Sequence, residues 1–116
     1  MKIINYKSSE VKTYSGHESK GITGRVVIGQ ADGAKNFTMR VFEVAPGGYT
    51  SLDSHPWEHE VFVYSGRGIV CDKEKSTSVS TGSVVFIPGG EQHQLKNIGN
   101  EPFVFVCLIP AGIPEI

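Results

Sequence analysis

The chain has 116 residues, a formal net charge of −1, and 20% charged against 39% hydrophobic residues. That length fits one domain with a core of its own, and the composition argues against disorder. Acids and bases are interspersed, with no basic stripe, and no run approaches the ~20 apolar residues of a membrane span, so neither nucleic acid nor membrane is an expected partner.

Met1 to Glu10 lacks the apolar stretch of a signal peptide. Met1 to Tyr6 reads as an edge or exchanged strand within an N-terminal arm of residues 1–20. The rest of that arm, with His17, reads as polar loop. Beyond it the pattern is strand-like. Gly24 to Gly29 (GRVVIG) is a short apolar run, and Phe37 to Val44 (FTMRVFEV) is a longer one that meets a turn signal at Pro46-Gly47-Gly48. Val61 to Tyr64, Gly68 to Cys71, Thr77 to Ser80 and Ser83 to Ile87 follow, separated by polar or glycine-containing turns. Phe103 to Ile109 (FVFVCLI) is apolar at both parities, which predicts a strand buried on both sides. No window carries a capped 3.6-residue apolar period. Seven or more short strands predict an all-β sandwich or barrel. Cys71 and Cys107 are too few for a disulfide framework and read as reduced thiols of a cytoplasmic protein.

The chemistry concentrates in two places. Asp53 to Glu60 reads DSHPWEHE, and His93 follows far downstream. Asp53 and His55 are two apart, so an extended chain projects both from one face with Cα atoms about 7 Å apart at ~3.3 Å per residue. Side chains leaning across that gap can share an ion with bonds near ~2 Å. The turn at Pro56-Trp57-Glu58 can return His59 to the same point. Three histidines at these spacings are also compatible with ordinary surface roles, so spacing alone leaves the metal open. Imidazole suits zinc, copper, iron and nickel, and a carboxylate fits harder ions.

These segments resemble the two motifs of the cupin superfamily. The first family motif, G-x5-H-x-H-x3/4-E-x6-G, aligns with Gly47, Asp53, His55, His59 and Gly66; the second, G-x5-P-x-G-x2-H-x3-N, with Gly82, Pro88, Gly90, His93 and Asn97. The likeness spans about residues 36–110. It is closest to small microbial cupins carrying a His-Pro-Trp-Glu-His-Glu string, here His55 to Glu60. In such relatives four histidines hold a metal, often manganese, and a cysteine of the last strand faces it. The resemblance therefore implies a jelly-roll barrel holding one divalent transition-metal ion. Manganese is favoured, with iron, nickel, zinc or cobalt as alternatives, and the implied ligands are Asp53, His55, His59 and His93. Cys107 matches the cysteine. The departures are Asp53 in place of the first histidine and His59 in place of the glutamate. Asp is shorter than His, so Asp53 reaches the ion directly or through a water.

Phe37, Met39, Phe105, Cys107 and Ile109 are candidate cavity walls. Arg40 is expected to be salt-bridged or exposed, with an inward position facing a substrate carboxylate as the alternative. Glu60 is expected to point away from the site, and Trp57 to serve packing or an interface. The functional expectation is a manganese- or iron-dependent oxidoreductase, dioxygenase-like, acting on a small organic molecule. The alternatives are a small-ligand or metal-binding module without turnover, and a metal-dependent sugar isomerase. A homodimer made by edge pairing or strand exchange is the expected assembly.

Overall fold

The computed structural model describes residues 1–13 and 18–116. His17 lies outside the described residues. Among those described there are nine strands: β1 (Lys12–Thr13), β2 (Lys20–Ile28), β3 (Phe37–Tyr49), β4 (His59–Ser65), β5 (Arg67–Cys71), β6 (Ser76–Ser80), β7 (Val84–Ile87), β8 (Gln94–Asn97) and β9 (Phe103–Pro110). They pair antiparallel in the order β6-β5-β8-β3-β9-β4-β7, with β2 added on β3 and β1 on β2. The sheet curls into the jelly-roll half-barrel expected of an all-β chain. No described helix is long and apolar enough to cross a membrane.

One strand departs from the sequence reading in an instructive way. Pro46-Gly47-Gly48 signals a turn, yet it lies inside β3, which runs on to Tyr49. The β2–β3 register jumps there from Ile22↔Val44 to Lys20↔Tyr49, so the extra residues form a bulge. Gly47 takes φ +80°, a conformation that glycine adopts without cost. The bulge bends β3 and lets it change partners. Its first part pairs with β9 and β2, and Tyr49 pairs with Lys96 of β8. A second departure is β8 itself. Gln94-Leu95-Lys96-Asn97 has one aliphatic residue in four, too weak an alternation to read as a strand, but Leu95 and Asn97 are buried.

The core fills the inside of the curl. Phe103, Val44 and Val63 are fully buried, and Ile22, Phe42, Val61, Leu95, Phe105 and Cys107 pack with them. Burying an aliphatic or phenyl side chain of this kind stabilises by about 1.5–3 kcal/mol. Asn97 clips the barrel: its Nδ2 donates to the carbonyls of Val44 and Glu101, both at 2.8 Å, and its Oδ1 accepts from the Gly99 N–H. β9 is buried on its inner face and half-covered on its outer face. The N-terminal arm supplies part of that cover, with Tyr6 packed near Val27, Val41 and Val104. Lys2 anchors the arm, donating to the Val27 carbonyl and pairing with Asp32, each at 2.8 Å.

Candidate metal centre

Two loops carry His55 and His93, and the backbone zips those loops together. Thr50 N–H donates to the Leu95 carbonyl at 2.8 Å, and Asp53 and His93 exchange a reciprocal pair of backbone bonds at 3.0 and 2.9 Å. Gly90 N–H donates to the His55 carbonyl at 2.7 Å, and Ser54 Oγ donates to the Gly90 carbonyl at 2.9 Å. Any side chain at Gly89 would collide with the Pro56 carbonyl, so the Pro88-Gly89-Gly90 turn is required for the two loops to touch. His59, the first residue of β4, faces inward because its parity is that of Val61 and Val63.

The result is a tight cluster. One ring nitrogen from each of His55, His59 and His93 lies within 4.8 Å of the others, and His59 and His93 are buried. The three rings meet edge to face with centroids 4.6–4.9 Å apart. Outer partners fix the ring orientations. His55 Nδ1 donates to the Trp57 carbonyl at 3.2 Å and His93 Nδ1 to the Glu91 carbonyl at 2.9 Å, because a carbonyl can only accept. The proton on Nδ1 leaves each Nε2 with a free lone pair, as a metal ligand needs. Trp57 lies flat on His55, 4.4 Å between centroids and 8° between planes, so its packing role is to hold that ring in place.

His59 differs. Its Nδ1 faces the Arg40 guanidinium at 3.4 Å and Cys107 Sγ at 3.3 Å, while its Nε2 lies 2.9 Å from His55 Nε2. A guanidinium only donates, so Nδ1 accepts and the ring proton sits on Nε2, donating to His55. For His59 to offer an Nε2 lone pair, that proton must sit on Nδ1 instead, where the Cys107 sulfur is the acceptor within reach. Burial, then the Arg40 charge, pushes the His59 pKa down from 6.5 to about 3. Burial also lowers His93, and it raises the Cys107 thiol. Both buried imidazoles are therefore neutral near pH 7, the state that binds metal. The donor set fits a divalent transition ion.

The cluster lies on the wall of a cavity of about 140 Å³, shared with Ser51, Asp53, Arg40, Cys107 and apolar residues that include Ile22, Phe42, Val61, Ile87, Leu95 and Phe105. Asp53 lines this cavity but is not one of the three clustered donors, and its Oδ2 accepts from Ser51 Oγ at 2.6 Å. Phe105 and Cys107 line the cavity. Phe37 and Met39 do not. Phe37 is 55% exposed, and Met39 lines a groove on the opposite face of the sheet. The inward set of β3 is Thr38, Arg40, Phe42 and Val44. Ile109 is buried but is not among the cavity-lining residues. Arg40 is not exposed and has no salt bridge among the described residues; it is buried beside His59. Its parity with Phe42 and Val44 marks the inner face, although arginine ordinarily faces water. Glu60 is exposed, as its parity required.

The comparisons with known proteins agree with this architecture. The Cupin domain model matches residues 40–109. The chain is 34% identical over 73 residues to 1-methylthio-D-xylulose 5-phosphate methylsulfurylase of Rhodospirillum rubrum, covering 63% of this chain and 47% of that one. It is 31% identical over 68 residues to an oxalate-binding protein of Thermotoga maritima, covering 58% of this chain and 56% of the relative. The chain thus spans about half the length of these curated relatives. Among solved structures, the polyketide cyclase RemF from Streptomyces resistomycificus superposes with a TM-score of 0.91 at 29% identity, covering 98% of this chain and 82% of that one. Matched by the domain model over more than half its length, this chain belongs to the cupin family.

Proposed function

We propose that the protein is a metal-dependent oxidoreductase of small organic molecules, working in the cytoplasm with one divalent ion, manganese first and iron second. The observation that carries this reading is the convergence of His55, His59 and His93 beside a small, mostly apolar cavity. Asp53, on the same wall, is the fourth donor in this reading. It would lower the formal charge of a divalent site by one and favour higher oxidation states. A bound ion with an open position supplies Lewis-acid and redox chemistry. The chain's own residues do the rest. Trp57 and Glu91 hold two imidazoles in orientation, and the apolar walls limit water and admit a small substrate.

A non-catalytic binding module is the second reading, favoured by the cavity's size: 140 Å³ is below the roughly 300–1,000 Å³ of ordinary ligand pockets. Sugar-phosphate isomerisation has less support, because Arg40 is the one cation lining the cavity among the described residues. The assembly in this reading is a homodimer. Phe62, Val84 and Phe86 project from the outer face of β4 and β7, all exposed, and β7 is an edge strand. An apolar patch on an open edge calls for cover.

The test is elemental analysis of untagged protein, then oxygen uptake by manganese- and iron-loaded chain over a panel of small acids, enols, thiols and alkenes. Uptake with one class supports the oxidoreductase. Metal binding without turnover transfers the case to the binding module, and a chain that takes up neither ion removes both. Asp53→Ala is expected to lower ion occupancy; unchanged occupancy would remove the carboxylate from the ligand set.

A further inference from the structure

Arg40 is a buried cation with no carboxylate within ion-pair distance among the described residues; Glu115, whose carbonyl it meets, turns its carboxylate to Thr38 Oγ1 and the Gln30 N–H. Arg40 is 7% exposed, on the inner face of β3. The sole ion pair among the described residues joins Lys2 and Asp32, far from it in the chain. Its acceptors among the described residues are neutral: Nη1 donates to the Glu115 carbonyl at 3.3 Å, and Nη2 to Cys107 Sγ at 3.1 Å and toward His59 Nδ1 at 3.4 Å. Nε has no hydrogen-bond partner among the described residues. The Phe42 ring face, 4.9 Å from the guanidinium carbon, offers a weak attraction that does not replace an anion. Leaving a cation out of water without a charged partner is costly, and a fold retains such a group where something else supplies the charge.

The surroundings narrow what that is. Arg40 lines the same cavity as the three histidines. A guanidinium presents parallel N–H donors in a planar fork that matches a carboxylate. A single cation and a volume of about 140 Å³ suit a small monoanion better than a phosphate ester. One imidazole ring, that of His59, separates the guanidinium from the point where the Nε2 atoms meet. We propose that Arg40 is the carboxylate anchor of this cavity, and that its ligand is a small 2-oxo or 2-hydroxy acid. The carboxylate lies on the guanidinium and the 2-oxygen is directed to the histidine cluster. The placement of the 2-oxygen rests on the metal reading above; the carboxylate contact does not.

The test is calorimetric titration of the full chain, metal-free and manganese-loaded, with acetate, glycolate, lactate, pyruvate and oxalate. Each acid is set against its neutral amide. The expected result is at least one acid bound about ten-fold or more tightly than its amide, since charge-assisted bidentate bonds are the stronger ones. That preference is lost in Arg40→Gln and partly kept in Arg40→Lys. Equal affinity for acids and amides throughout, or a preference untouched by Arg40→Gln, overturns the proposal. Should Arg40→Gln fail to fold, the Arg40 Nε–H resonance of the wild-type, zinc-loaded or metal-free chain is followed by NMR. It is expected to move with the acid and not with the amide, and an unmoved resonance overturns the assignment. Manganese content measured in parallel separates the two ideas. An Arg40-dependent acid preference in a chain that takes no manganese keeps the anchor and removes the metal reading. Manganese uptake with no acid preference does the reverse.

Discussion

The two faces of the β3–β9–β4–β7 region invert the usual distribution of polarity. Inside, where apolar packing is the rule, stand Arg40, His59 and Cys107, held against one another at 3.1–3.4 Å. Outside, where polar residues are the rule, stand Phe62, Val84 and Phe86. The strands themselves are ordinary; alternation sends odd and even residues to opposite faces as in any sheet. The difference lies in what each face must meet. The inner polar groups need a ligand to complete them, and the outer apolar groups need a surface to cover them. The inner face of β9 shows both behaviours: Phe103 builds core alone, and Phe105 and Cys107 beyond it also line the cavity.

That contrast can be broken at several points. Phe103→Ala strikes the purely structural end of the inner face. With Phe103 fully buried, the substitution is expected to cost about 3–5 kcal/mol of unfolding free energy, read by denaturant titration. A cost under 1 kcal/mol would mean that the packing there is loose. His93→Ala strikes the polar end. Manganese affinity is expected to fall by more than the roughly 100-fold that losing an outer hydrogen-bond partner can cost, with thermal stability of the metal-free chain little changed. Retained affinity would leave the second motif a purely structural element.

Acid sharpens the comparison without mutation. His59 and His93 bind protons less readily folded than unfolded, so the unfolded chain takes up more protons once pH falls below about 6.5. Stability of the metal-free chain is therefore complete above that pH and declines as pH falls toward about 3, the folded value of His59. His59→Phe is expected to flatten part of that decline, and an identical slope would place the proton uptake elsewhere. On the outer face, Phe62→Asp changes the least within the chain. Unfolding free energy is expected to stay within about 0.5 kcal/mol, as for ordinary surface positions, while a dimer seen by sedimentation dissociates. Unchanged sedimentation would show that this patch is not the contact between copies.

The sequence alone determined the all-β class, most strand positions and the identity of the three clustered histidines. These depend on local signals: period-two alternation, glycine and proline punctuation, and two loop motifs with fixed spacing. It misplaced Phe37 and Met39 and the side of the sheet that Arg40 occupies. When both faces of a strand carry apolar residues, parity alone does not say which face is inside. It also read the Pro46-Gly47-Gly48 bulge as a turn, because a bulge and a turn use the same residues and differ only in whether the next strand is already waiting. Tertiary structure alone decided that Asp53 stands outside the histidine cluster, that Cys107 and Arg40 reach the far nitrogen of His59, and that Arg40 has no carboxylate within ion-pair distance among the described residues. Each of those is a distance between residues far apart in the chain, fixed by how β3, β4 and β9 register, and no local pattern encodes it.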